Sequence, residues 1–123
     1  TGIGETLKSQ YPDIEIWAVE PEHAAILAGG TIGTHLQMGI GDGIIPDILN
    51  REIYDDIYIV TDEEALQTAK DLAVKEGIMC GISSGTNVAA ALKLAEKLGE
   101  GKTVVTILPD TAERYFSTPL FEE

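Results

Sequence analysis

Two adjacent hydroxyls stand where an apolar run gives way to a helix. Ile78-Met79-Cys80-Gly81-Ile82 is followed directly by Ser83-Ser84-Gly85. The first turn of a helix offers unpaired N–H groups and the positive end of its dipole, and Gly85 allows a close approach. In open parallel sheets ligands gather at the carboxyl ends of the strands, which is where such a turn would lie. The plainer alternative is that both serines only cap the helix, as serine often does. Two further segments compete for the same role. One is Pro109-Asp110, which closes another apolar run. The other is the stretch from Gly29 to Pro46, with glycines at 29, 30, 33, 39, 41 and 43. A long glycine-rich loop inside a compact domain is usually functional or disordered. Met38-Gly39-Ile40-Gly41-Asp42-Gly43-Ile44-Ile45-Pro46 has the glycine spacing of a dinucleotide fingerprint only loosely. It lacks the preceding strand and the long following helix, so that reading is rejected. What remains is a flexible loop whose glycines take positive φ.

Other chemistry-bearing residues point to less. His23 and His35 have no cysteine or carboxylate at metal-ligand spacing and read as surface residues, so no metal site is expected. Cys80 reads as a core thiol. Asp55-Asp56 reads as a turn, Asp62-Glu63-Glu64 as a helix start, and Glu113-Arg114 as a salt-bridging pair. With 8 Lys+Arg against 21 Asp+Glu the formal net charge is −13. No basic stripe exists for a nucleic acid, and an anionic membrane surface would repel the chain. No apolar run approaches the roughly 18 residues of a membrane span. No basic-then-apolar leader is visible. A single cysteine suits a reducing, cytoplasmic setting.

The elements that must position these residues alternate. Residues 5–11 suggest a short helix ended by Pro12, and 14–19 a strand closed by Glu20-Pro21. One or two helical turns follow over 23–28. Residues 57–60 form a second expected strand. Thr61 and Glu64 make a capping box for a helix over 62–76, with Ala65, Leu66, Ala69, Leu72 and Ala73 on one face and Gly77 as its C′ residue. Residues 78–82 could form a short strand. A second helix is expected over 84–98, with Val88, Ala91, Leu92, Ala95 and Leu98 on its apolar face. Residues 103–108 are β-branched and nearly all apolar, as a strand buried on both faces should be. Strands alternating with helices predict an α/β fold with a parallel, doubly wound sheet. The 123 residues suffice for one domain and not two.

Together these segments resemble the cysteine synthases, the O-acetylserine sulfhydrylases of pyridoxal-phosphate fold type II. Thr1-Gly2-Ile3-Gly4 looks like the tail of that family's GTGGT-x-TG phosphate loop. Gly39-Ile40-Gly41 through Ile45-Pro46 looks like its GIG-x-x-x-IP loop, and Gly81 to Gly85 like its GISSG. Leu108-Pro109-Asp110 through Tyr115, Ser117 and Thr118 looks like its LPD-x-x-ERY-x-ST, with Ala112 where many relatives have glycine. The four matches lie in order and cover essentially the whole chain.

The resemblance implies a pyridoxal 5'-phosphate cofactor, with Ser83 facing its pyridine nitrogen and Gly39, Ile40 and Gly41 bordering the substrate. It implies replacement of the acetoxy group of O-acetylserine by sulfide to give cysteine, a transferase reaction. None of the six lysines lies in the family's Schiff-base lysine motif, so no catalytic residue is expected within the chain. The expectation is that residues 1–123 are the C-terminal portion of the large cofactor-binding domain, without the N-terminal half and inactive alone. A homodimer and an interaction with serine acetyltransferase are implied for the complete enzyme. A cystathionine β-synthase, or a fragment keeping a peptide-binding surface for serine acetyltransferase, is the alternative.

Overall fold

The computed structural model describes residues 1–121. Helix α1 spans Gly2–Gln10 and stops at Tyr11, before Pro12, whose ring disfavours helical backbone in the preceding residue. Strand β1 (Trp17–Pro21) and strand β2 (Asp56–Val60) pair in parallel, with Trp17 opposite Asp56 and Pro21 opposite Val60. Their connection carries the glycine-rich loop. It begins with one 3-10 turn, Glu22–Ala24, where one or two helical turns were expected. Helix α2 (Asp62–Glu76) and helix α3 (Ile82–Leu98) follow and pack on each other.

The ends of α2 fall where local chemistry puts them. Thr61 Oγ1 accepts the Glu64 N–H at 3.1 Å, and Gly77 closes the helix at φ 71°, a left-handed conformation that glycine adopts without steric cost. Only half of the capping box forms, because the Glu64 carboxylate accepts from the Tyr58 hydroxyl at 3.2 Å instead. Ala65 and Ala69 are buried, as the apolar face predicts. Gly85 sets the contact between the helices. A Cβ there would overlap the Ala65 carbonyl oxygen and stand 2.9 Å from the Ala69 nitrogen. The core gathers Val60, Ala65, Ala69, Cys80, Ile82, Ala89, Ala112, Tyr115 and Leu120.

Three expectations are corrected. Residues 103–108 form no strand and pair with none, with Val105 85% and Ile107 59% exposed. A strand patterned for burial on both faces needs neighbours to bond, and among the described residues it has none. Residues 78–82 contribute only a bridge, Cys80 antiparallel to Thr111. On α3 the inward residues are Ala89, Ala90 and Leu94, whereas Leu92 is exposed. That helix is apolar on more than one side, and periodicity alone does not choose between the sides.

Candidate functional site

Of the residues singled out from sequence, Gly41 lies against Pro21 at the carboxyl end of β1, Gly81 to Gly85 open α3, and Asp110 packs against Gly81. The N-cap of α3 is Gly81, in extended conformation, and it makes no side-chain cap. Ser83 and Ser84 therefore lie inside the first turn and cap nothing. The capping alternative is wrong, because the chain enters the helix two residues earlier than the serines would require. Gly81 is confined there: its N–H donates to the Asp110 carbonyl at 3.2 Å, and a Cβ on it would overlap Asp110 Oδ1 and stand 2.6 Å from Tyr115 Cε2.

Both serines are buried, Ser83 at 4% exposure and Ser84 completely. Neither hydroxyl has a hydrogen-bond partner among the described residues, but they differ in access. Ser84 Oγ is wholly enclosed, whereas Ser83 Oγ is not. The second enclosed atom without a partner is Asp110 Oδ1, whose Oδ2 accepts from the Tyr115 hydroxyl at 2.5 Å. Burial, then the Asp110 carboxylate, pushes the Tyr115 hydroxyl from 10.0 up to about 12. Burial also pushes the Cys80 thiol up, against the Ser84 hydroxyl beside it, which lies outside hydrogen-bond geometry. The core-thiol reading of Cys80 holds.

Gly39, Gly41 and Gly43 take φ of 86°, 69° and 73°, the positive values expected of this loop. Gly41 is held between the end of β1 and His35: an added Cβ would meet Pro21 Cγ at 2.8 Å and His35 Nε2 at 2.9 Å. His35 is only half-buried, but it is not an idle surface residue. Its Nδ1 accepts the Gln37 N–H at 3.2 Å, and its Nε2 faces the Gly41 carbonyl at 3.5 Å. Upstream, the buried Glu20 carboxylate accepts the Leu27 and Ala28 N–H groups, which fixes the entry to the loop.

Sequence reasoning missed two sets of residues here. Asp110 was a candidate as part of Pro109-Asp110, but its partner Tyr115 appeared only as part of a motif, and the contact between them was not anticipated. The expected Glu113–Arg114 pair does not form among the described residues, and its neighbour Tyr115 makes the bond that matters. The fully buried Gln37 and Thr86, bonded at 2.9 Å, were not singled out at all. They join the glycine-rich loop to α3 across 49 positions of sequence, a separation that no local pattern reveals. The lysines stay elsewhere: Lys8 pairs with Asp55, Lys75 with Asp71, Lys93 with Glu96 and Lys97 with Glu15. Among the described residues no group of three His, Cys, Asp or Glu side chains could hold a metal ion. No described helix is long and apolar enough to cross a membrane.

Residues 1–110 of this parallel α/β unit match the pyridoxal-phosphate dependent enzyme family. The chain belongs to that family. Within it, the chain is 50% identical over 121 residues to a cysteine synthase of Staphylococcus aureus strain Mu50, covering 98% of this chain and 39% of that protein. The crystal structure of a cysteine synthase from Entamoeba histolytica superposes with a TM-score of 0.94 at 46% identity, over 99% of this chain and 36% of that one. An O-acetylserine dependent cystathionine beta-synthase from Helicobacter pylori superposes at 0.91 with 41% identity, over 98% of this chain and 39% of that one. The chain thus spans about 39% of the length of the curated relatives it matches.

Proposed function

We propose that this chain is the C-terminal portion of the large cofactor-binding domain of a cysteine synthase, and that Ser83 is its contact to the pyridine nitrogen of pyridoxal phosphate. The observation that carries the reading is the Ser83 hydroxyl, unpaired yet accessible in the first turn of α3. A buried hydroxyl without a partner costs free energy, so one left accessible at a confined helix turn suits an incoming acceptor. Gly81 lets Asp110 and Tyr115 pack directly against the start of this turn, which fixes the backbone that carries Ser83. When bound, the cofactor supplies electron withdrawal from the substrate's α-carbon. The chain's part is to present a neutral donor. A neutral hydroxyl binds an unprotonated ring nitrogen, whereas a carboxylate would hold that nitrogen protonated. The shallower electron sink suits departure of a β-substituent and discourages transamination. Gly39-Ile40-Gly41 borders the substrate in this reading, with small residues that permit close packing and closure.

The larger domain is supported by the exposed segment 103–108. It faces β1 across a groove of about 840 Å³ whose walls include Ile16, Val19, Leu94, Val104 and Ile107. Two strands are too few for a stable sheet, and further strands between these edges would bury both. The complete enzyme would replace acetate on O-acetylserine with sulfide, giving cysteine and acetate. It would work in the cytoplasm as a homodimer, with serine acetyltransferase as a partner. The test is an assay of the full-length enzyme with O-acetylserine and sulfide beside serine and homocysteine. Cysteine formation supports the reading; turnover only of serine with homocysteine transfers it to the cystathionine β-synthases. The 123 residues alone, without the lysine motif, should form no cysteine.

A further inference from the structure

We infer that Gln37 is a positioning residue that locks the root of the glycine-rich loop to the helix bearing Ser83, with Thr86 and Asp62 as its partners. Every polar atom of its buried amide is engaged. Nε2 donates to the Val60 carbonyl at 2.9 Å and to Asp62 Oδ1 at 3.0 Å, while Oε1 accepts from Thr86 Oγ1 at 2.9 Å. The orientation of the amide is forced, since a backbone carbonyl and a carboxylate both only accept. Asp62 opens α2, where the helix dipole favours a carboxylate, and its Oδ2 accepts the Leu36 N–H at 2.8 Å. Two consecutive loop residues are thus tied to the start of α2, the end of β2 and the first turns of α3. The next residues with positive φ are Gly39, Gly41 and Gly43. Movement of the loop is therefore confined to the segment beyond Gln37.

The Thr86 hydroxyl has one proton and two acceptors in reach, Gln37 Oε1 at 2.9 Å and the Ile82 carbonyl at 3.3 Å. The shorter bond goes to Gln37. Thr86 lies on α3 three residues after Ser83, so its bond to Gln37 ties the loop to the start of the helix that carries the serine. The effect on turnover rests on the proposed role of Ser83 and the loop; the mechanical lock does not.

The experiment uses the full-length enzyme with Thr86→Val, which keeps the shape and removes the donor, and Thr86→Ser, which restores it. Thr86→Ala serves if the valine variant does not fold. Hydrogen exchange is followed in the cofactor-free protein for residues 34–43 and, as a control, for residues 88–98. The valine variant should speed exchange of the loop root by about two- to tenfold, the worth of one neutral hydrogen bond. The control segment should stay at the parent rate and the serine variant should match the parent. With cofactor bound, the valine variant should raise KM for the amino-acid substrate more than it lowers kcat. Unchanged exchange at 34–43, or an equal rise in both segments, would overturn the lock. If instead the exchange pattern holds while KM and kcat stay at parent values, the lock stands and the substrate-loop reading fails.

Discussion

The Tyr115 hydroxyl donates to Asp110 Oδ2 at 2.5 Å and so holds the end of the 103–110 segment against the turn that opens α3. Two main-chain bonds reinforce the clasp, Gly81 N–H to the Asp110 carbonyl and Ala112 N–H to the Met79 carbonyl. Tyr115→Phe leaves both oxygens of the Asp110 carboxylate without a side-chain donor and should cost about 1–3 kcal/mol. The pH dependence has a definite sign. Because the Tyr115 hydroxyl is raised from 10.0 to about 12, its stabilising effect is complete below the unfolded value and fades as pH rises through the folded one. Urea unfolding from about pH 9 upward should therefore show a steeper alkaline loss in the parent than in Tyr115→Phe. Equal slopes would remove the bond from the account.

Gly85→Ala should lower stability even though alanine is the better helix former by roughly 1 kcal/mol. The added methyl runs into the Ala65 carbonyl and the Ala69 backbone, so α2 and α3 must separate. Overpacking of this kind costs about 1–3 kcal/mol. A denaturation midpoint at or above the parent value would contradict the close contact.

Acid should loosen the join between α1, β1 and β2. The bond from Lys8, then the Ile16 N–H, holds the Asp55 carboxylate below its ordinary range. Its stabilisation is present above the unfolded pKa and is lost as pH falls through the folded one. Asp55→Asn keeps an acceptor for Ile16 and removes the charge. It should be less stable at neutral pH by under about 1 kcal/mol, since the ion pair is partly exposed. It should also lose less stability than the parent on acidification. Thermal melts at neutral and acid pH read both effects.

What was legible in the sequence was what local chemistry decides. Helix α2 begins after Thr61 and ends at Gly77 because a hydroxyl cap and a left-handed glycine act over three or four residues. Capping by the serines was the plainer alternative because serine favours that position, but Gly81 takes it, and only the distant Asp110 and Tyr115 explain why a glycine stands there. Residues 103–108 have the composition of a central strand, yet a ladder needs partners that composition cannot supply. Gln37 was invisible for the same reason: its partners Val60, Asp62 and Thr86 lie 23, 25 and 49 residues away.

The most direct test of the central claim is the absorbance spectrum and turnover of Ser83→Asp in the full-length enzyme, beside Ser83→Ala. The alanine change removes one neutral hydrogen bond, about 0.5–1.5 kcal/mol, and should lower activity modestly with cofactor still bound. The aspartate change should shift the cofactor's absorbance and slow turnover far more, because a carboxylate facing the ring nitrogen would keep it protonated. If Ser83 serves only the helix, both changes act on stability alone, the buried carboxylate more than the methyl, and the folded enzyme keeps the parent's spectrum and rate. A Ser83→Asp enzyme with the parent spectrum and rate would contradict the assignment.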